Sequence, residues 1–188
     1  MDEDLTIETE RLYLHTVLPD EYPLLVQNLA HPDLWSNRGF TDRLKYFANN
    51  PNPIKYRAPR ITVNPGLAKY LLRVAVLKSE QIIIASAGFH DGPDINGMIE
   101  IGFGVDKTYQ GMGYGQELLL GMWGWVVKNS EVKTLRYTVS PDNLISQHII
   151  KKLGFNLVGE QIDEEDGLEE IYEMSRKDYR AAFLGKSS

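Results

Sequence analysis

The feature that most constrains this chain is a glycine-rich segment at residues 110–115, which reads Gln-Gly-Met-Gly-Tyr-Gly. A strand-like apolar run, Met98 to Asp106, precedes it, and the apolar residues after it recur at helical spacing. Glycine lets the backbone adopt unusual dihedral angles and approach a ligand closely. The first amide N–H groups of a helix have no intrahelical acceptor. The segment therefore predicts an anion-binding turn of the kind that holds phosphate groups.

Two common nucleotide-binding signatures do not fit this segment. A dinucleotide-binding fingerprint needs a third glycine three residues after Gly113, where Gln116 stands. A P-loop needs a closing Gly-Lys-Ser or Gly-Lys-Thr, which this segment lacks. The structural alternative is a turn that only joins a strand to a helix.

The remaining pattern predicts one α+β domain over residues 1–188, without a linker or an internal repeat. The run from Leu5 to Val17 is typical of a first strand. Short links bearing turn residues then join three strand-like runs, which indicates an antiparallel meander: 70–77, 81–90 and 98–106. After the glycine-rich segment, helical and strand patterns alternate and end in a closing hairpin, 155–162 with 168–174.

The segment 32–66 contains several prolines and aromatic residues and has no clear periodicity beyond short helices around residues 42–48. Long connections of this kind often line a pocket or a gate, although a packed structural excursion is equally consistent with the pattern. We expect it to form the substrate side.

Composition excludes several classes of protein. The absence of cysteine rules out disulfides, cysteine nucleophiles and thiolate metal sites, and His15, His31 and His148 lack metal-ligand spacing. The net charge is −6 and the basic residues are scattered, unlike those of a nucleic-acid binder. No apolar run has membrane-spanning length, and the acidic N-terminus lacks the features of a signal peptide. We therefore expect a cytoplasmic protein without a metal, nucleic-acid or membrane partner.

With residues 110–115 in this position, the chain resembles the GNAT superfamily of N-acetyltransferases, whose acetyl-CoA motif reads Gln/Arg-x-x-Gly-x-Gly/Ala. Three further stretches resemble the RimJ/RimL-like branch, which acetylates ribosomal-protein N-termini and related amines: Ile-Glu-Thr-Glu-Arg-Leu at 7–12, Asn-Leu-Ile-Ser at 143–146 and Lys-Leu-Gly-Phe at 152–155. The resemblance implies a mixed, mostly antiparallel sheet of six to seven strands with flanking helices. This sheet splays into a V between its fourth and fifth strands.

The resemblance also implies which residues bind acetyl-CoA, the cosubstrate. Six consecutive residues would hold the diphosphate: Gln110, Gly111, Met112, Gly113, Tyr114 and Gly115. The strand backbone near Phe103 and Val105 would pair with the amides of the pantetheine arm. Asn143 would reach the same arm, or it only caps the helix that follows it, and the two roles are compatible.

Acetyl transfer to nitrogen needs a base, because an ammonium ion has no lone pair. Glu100 resembles the glutamate that some family members use, although it could be an ordinary outward-facing or charge-paired strand residue. His90 is a second candidate base. Many family members present a tyrosine to the departing thiolate, but Ile150 stands at that position. Ser146 is then the next hydrogen-bond donor, or an ordinary polar residue in a first helical turn, and Tyr137 is assigned to sheet packing.

These features predict an enzyme that transfers acetyl from acetyl-CoA to a primary amine by direct attack. The acceptor is a peptide N-terminus or a small molecule, and the protein is a monomer or a homodimer. The alternative is a catalytically silent acyl-CoA-binding sensor or scaffold, which the missing tyrosine leaves open.

Overall fold

The structure is a computed structural model that describes residues 2, 4–31, 33–35, 37–165 and 167–185. Its strands are β1 (Thr6–Glu8), β2 (Leu12–Thr16), β3 (Arg73–Leu77), β4 (Ile82–Phe89), β5 (Met98–Val105), β6 (Thr134–Val139), β7 (Asn156–Asp163) and β8 (Gly167–Ser175). Its α-helices are α1 (Tyr22–Gln27), α2 (Tyr46–Asn49), α3 (Asn52–Val63), α4 (Ala68–Leu71), α5 (Tyr114–Val126), α6 (Leu144–Lys152) and α7 (Arg176–Tyr179). None of the described helices is long and apolar enough to cross a membrane.

The strands follow the order β1-β2-β3-β4-β5-β6-β8-β7 in an eight-stranded sheet. β1 to β4 pair antiparallel in succession, and β8 lies antiparallel between β6 and β7. The parallel pairing of β5 with β6 covers only Met98–Glu100, whereas β5 itself continues to Val105. The predicted α+β fold with a mixed, mostly antiparallel sheet is confirmed, and its described strands number eight instead of six to seven.

The additional strand comes from the N-terminal segment, because the run predicted as one strand, Leu5 to Val17, is a hairpin of β1 and β2. Thr9 closes its turn: the Thr9 N–H donates to the Leu12 carbonyl at 3.0 Å, and the Thr9 hydroxyl accepts from the Leu12 N–H at 3.1 Å. This turn contains neither glycine nor proline, so the residues that usually mark a hairpin are missing from the sequence.

The chain divides into two compact units, the first made of Met1–Gly88 and Phe103–Met122. Its core gathers apolar side chains from β2 to β4 and from the helices between β2 and β3, among them Leu25, Phe47 and Leu71, each 0% exposed. Burying each such side chain stabilises the fold by about 1.5–3 kcal/mol. In α5, a Cβ at Gly121 would come within 2.8 Å of the Thr9 methyl carbon, so glycine lets the helix lie directly against the N-terminal hairpin.

The segment 32–66 is more regular than predicted, since α2 and α3 occupy much of its second half. Pro53 stands in the first turn of α3, where its missing N–H removes no hydrogen bond. Pro59 lies inside the helix, which persists because Ile54, Ala58 and Ile61 bury one face of it. Within this segment, Pro32 and Ser36 lie outside the described residues.

The second unit consists of Phe89–Gly102 and Trp123–Ser188. It contains the paired parts of β5 and β6, the predicted closing hairpin of β7 and β8, and helices α6 and α7. Trp123 is fully buried and stacks on Phe155 with ring centroids 4.5 Å apart. Gly154, at φ +83°, ends α6 as the sequence predicts.

Candidate active site

The glycine-rich turn joins β5 to α5 in the first unit. Gly111 and Gly113 both adopt the left-handed region, with φ of 76° and 82°. A Cβ at Gly111 would meet no atom within 4 Å, so this part of the turn is open. Residues other than glycine rarely adopt such angles, which explains why the sequence places glycine at both positions.

The amide N–H groups of residues 111–116 find no hydrogen-bond acceptor within the described part of the chain. The first amide at the start of α5 that has a partner is that of Glu117, which donates to the Gly113 carbonyl at 3.1 Å. Unpaired N–H groups in the first turn of a helix carry partial positive charge. The turn can therefore bind an anion with backbone groups alone.

The end of β5 holds this turn in place. The Gln110 side chain donates to the Val105 carbonyl at 3.0 Å, so two residues predicted to bind the cofactor contact each other. The Asp106 N–H donates to the Ile84 carbonyl of β4 at 2.8 Å.

Arg11 contacts this turn, although sequence reasoning gave it no role. Its Nη1 donates to the Met112 carbonyl at 3.0 Å, and its guanidinium carbon lies 4.2 Å from the ring centroid of Tyr114. The available signal was the Thr-Glu-Arg-Leu opening, which carried part of the family resemblance without an assigned contact.

In the second unit, the side chains of the two candidate bases, Glu100 and His90, lie next to each other. The Thr138 hydroxyl donates to Glu100 Oε1 at 2.6 Å, and His90 Nδ1 lies 3.4 Å from the same oxygen. The His90 N–H also donates to the Glu100 carbonyl at 2.9 Å. Glu100 is 15% exposed and His90 is 53% exposed, so the carboxylate is the more enclosed of the two groups.

The start of α6 contains the other predicted residues. Asn143 Oδ1 accepts from the Ser146 N–H at 3.1 Å, which establishes the capping role. Tyr137 is 5% exposed, and its pKa responds to the neighbouring Ser146 side chain as well as to burial. Burial raises the pKa of Tyr137 to about 12, so the phenol stays protonated at neutral pH. Ile150 is 0% exposed and belongs to the core.

The structure thus places the predicted cofactor residues 103, 105 and 110–115 in the first unit, and Glu100, Asn143 and Ser146 in the second. The described residues contain no cluster of three or more histidine, aspartate or glutamate side chains that could hold a metal ion.

Comparison with known proteins identifies the family of this chain. A family model described as the acetyltransferase (GNAT) domain matches residues 11–156. The chain is 29% identical over 163 residues to YjdG, an uncharacterized N-acetyltransferase of Bacillus subtilis (strain 168), with 80% of this chain and 89% of that protein covered.

Two solved structures share the fold. One is RimL, a ribosomal L7/L12 alpha-N-protein acetyltransferase in complex with coenzyme A, with a TM-score of 0.64, 18% identity, and 90% of this chain and 97% of that chain covered. The other is MccE, a microcin C7 self immunity acetyltransferase in complex with acetyl-CoA and AMP, with a TM-score of 0.62, 16% identity, and 93% of this chain and 99% of that chain covered. Because the family model spans more than half of its length, the chain belongs to the GNAT family and is an acetyltransferase.

Proposed function

We propose that this acetyltransferase transfers the acetyl group of acetyl-CoA to a primary amine by direct attack of the amine on the thioester carbonyl. The observation that carries the proposal is the run of amide N–H groups at residues 111–116, for which the described chain supplies no acceptor. Several donors at a helix start suit a diphosphate, which offers several oxygens at once. The left-handed glycines, Gly111 and Gly113, allow the phosphates to approach the backbone closely.

The pantetheine arm is assigned to the β5 backbone near Phe103 and Val105. The amides of this arm would pair with backbone groups of the strand, as those of a neighbouring strand do. Asn143 is assigned to the same arm through its side-chain NH₂ group, because its Oδ1 already accepts from Ser146. Capping and ligand binding by Asn143 therefore use different atoms.

Acetyl-CoA supplies the acetyl group as a thioester, and residues of the chain must remove a proton from the acceptor. Glu100 is assigned as the base that removes a proton from the ammonium form of the acceptor, which frees the nitrogen lone pair. Its Oε1 accepts from Thr138 at 2.6 Å, and this bond orients the carboxylate. His90 is the alternative base, since it lies beside the same carboxylate.

As the new C–N bond forms and the C–S bond breaks, the sulfur gains negative charge; the nitrogen releases its second proton, and the thiolate takes up one proton to leave as free thiol. Ser146 is assigned as the donor to this sulfur, since its hydroxyl is free of the capping bond that occupies its N–H. The buried Tyr137 hydroxyl lies near Ser146 and can orient that donor. A hydrogen bond to the sulfur stabilises the charge that develops on it.

The acceptor is proposed to be a peptide N-terminus or a small amine. The net charge of −6 favours a cationic acceptor over an anionic one. Release of free thiol from acetyl-CoA, measured against N-terminal peptides and small amines, tests the proposal, and calorimetry measures acetyl-CoA binding in parallel. We expect binding and amine-dependent thiol release.

Two other outcomes would decide against this function. Binding without turnover on any amine would favour a catalytically silent acyl-CoA sensor, the reading that the buried Ile150 supports because it supplies no acid. If the protein does not bind acetyl-CoA, the assignment of the glycine-rich turn to the diphosphate is wrong, and so is the proposed function.

A further inference from the structure

A network of three side chains ties the N-terminal hairpin to helix α5 inside the first unit. Glu117 Oε1 accepts from the Thr9 hydroxyl at 2.6 Å and from the Arg11 N–H at 2.7 Å. Glu117 Oε2 accepts from Arg11 Nε at 2.7 Å. Gly121, one helical turn after Glu117, provides the close approach that this contact needs. The carboxylate is therefore bound from three donors on one short turn.

The electrostatics of this network are balanced internally. Burial raises the pKa of Glu117, but the hydrogen bonds from Thr9 and Arg11 and the charge of Arg11 outweigh it and hold that pKa below its ordinary value. The Glu117 side chain is 14% exposed and that of Arg11 is 39% exposed, so the pair is partly shielded from water. Charge-assisted hydrogen bonds of this kind are stronger than neutral ones and fix geometry.

Arg11 extends the network to the glycine-rich turn through its Nη1, which donates to the Met112 carbonyl. The Met112–Gly113 peptide is trans, because the described chain contains no cis peptide bond. In a trans peptide, the carbonyl and the following N–H point in opposite directions. A Met112 carbonyl held toward Arg11 therefore turns the Gly113 N–H away from Arg11, where it is free to donate to a ligand.

We propose that Arg11 is a positioning residue for acetyl-CoA: it fixes the Met112–Gly113 peptide so that the Gly113 amide faces the phosphates. This inference rests on the proposed function. Without the guanidinium, the flexible glycines on either side of Met112 let this peptide rotate, and ordering it again costs binding free energy. The guanidinium acts through the backbone, because its charge is already balanced by Glu117.

The test compares Arg11→Gln with Arg38→Gln. Arg38 is a matched control in the same unit, since its Nη1 donates to the Thr16 carbonyl at 2.9 Å and to Glu21 Oε2 at 2.8 Å. Arg11→Gln should raise the Kd for coenzyme A about 10- to 100-fold, the range expected for losing charge-assisted hydrogen bonds. The KM for acetyl-CoA should rise in parallel, with kcat at saturation and the KM for the amine unchanged.

The control should separate positioning from stability, because Arg38→Gln should lower the Tm while leaving the Kd for coenzyme A unchanged. The loss in Arg11→Gln should be the same with 3′-dephospho-coenzyme A, since the proposed effect acts at the diphosphate. Arg11→Lys, which keeps the charge but cannot bond Glu117 and Met112 in the same way, should also weaken binding and provides a second variant if Arg11→Gln does not fold.

Three results would overturn the proposal. Either Arg11 variant could bind coenzyme A as tightly as the unchanged protein, the loss could vanish with the dephospho form, or Arg38→Gln could weaken binding equally. The second result would make Arg11 a direct contact of the 3′-phosphate instead. If the unchanged protein does not bind coenzyme A, both the proposed function and this inference are wrong. If it binds coenzyme A but the Arg11 variants give one of the three results above, only the role of Arg11 is wrong.

Discussion

Helices α5 and α6 begin in opposite ways. At α6, the Asn143 side chain accepts from the Ser146 N–H, so the chain satisfies a first-turn donor itself. At α5, Gly113 precedes the helix and has no side chain to accept, and the amides of residues 111–116 are unpaired among the described residues. An uncapped helix start costs stability unless a ligand completes it. The chain therefore satisfies a first-turn donor of α6 itself and leaves those of α5 without an acceptor among the described residues, which is the basis of the proposed anion site.

The same contrast separates the expected effects of mutation. Changes at the start of α5 should alter affinity for acetyl-CoA, whereas changes in the second unit should alter turnover or stability. Substitutions at four positions test this division, in order of decreasing expected effect.

Gly113→Trp should have the largest effect. A side chain at φ +82° is strained, and an indole there obstructs the approach of phosphates to the turn. Losing two or more phosphate hydrogen bonds should raise the Kd for acetyl-CoA about 100-fold or more, measured by calorimetry. Gly39→Trp is the matched control, because Gly39 has φ +77° with no atom within 4 Å of an added Cβ, and it should leave the Kd unchanged. Equal binding by Gly113→Trp would remove the phosphate-binding assignment.

Glu100→Gln should affect the chemical step and not the binding of acetyl-CoA. The amide cannot accept the ammonium proton, so kcat should fall about 100-fold under chemistry-limited conditions while the Kd for acetyl-CoA is unchanged. The pH–rate profile should change as well. Glu173→Gln is a suitable control, since Glu173 is a partly buried carboxylate of the same unit paired with Arg136. An unaltered rate and profile in Glu100→Gln would move the base assignment to His90 or to water.

Variants of Asn143 separate its capping of α6 from its proposed binding of the pantetheine arm. Asn143→Ala removes the cap and should lower the free energy of unfolding by about 1 kcal/mol, measured by urea denaturation. Asn143→Ser keeps a capping oxygen and should retain most of that stability, but it lacks the NH₂ group. If Asn143 also binds the pantetheine arm, the serine variant should still raise the KM for acetyl-CoA. An unchanged KM would leave only the capping role.

The smallest expected effect is a pH dependence at Glu117. Because the pKa of Glu117 is lower in the folded protein than in the unfolded chain, its ionised form stabilises the fold. This contribution is complete above the unfolded pKa, about 4.3, and is lost as the pH falls through the folded value. The stability advantage of the unchanged protein over Glu117→Gln should therefore shrink between pH 7 and pH 3 in urea titrations. A constant difference would argue against the ion pair as its source.

Local features of the site were predictable from sequence. The glycine-rich turn, the start of α5 and the Asn143 cap each depend on residues within a few positions of one another, and the structure places the turn and the cap as expected. The closing hairpin was predictable for the same reason, since β7 and β8 are adjacent in the sequence and pair antiparallel.

Other features depend on long-range packing, and the sequence pattern did not predict them. The N-terminal hairpin turn is closed by the Thr9 side chain without a glycine or proline signal. Helix α3 tolerates two prolines because one occupies its first turn and buried contacts sustain the rest. Tyr137 of β6 and Ser146 of α6 are neighbours in the fold, and no spacing rule predicts their proximity.

Residues close together in the sequence set the position of the glycine-rich turn and leave the start of α5 without a capping side chain, because glycine geometry and helix-end chemistry are local properties. Only the tertiary structure decided that Arg11 holds the Met112 carbonyl across 101 positions of the chain. That contact depends on the hairpin and α5 lying side by side with Gly121 at the point of closest approach. The periodicity of the sequence predicts which face of a helix or strand each side chain lies on. The residue that this side chain contacts is set only when the elements pack together.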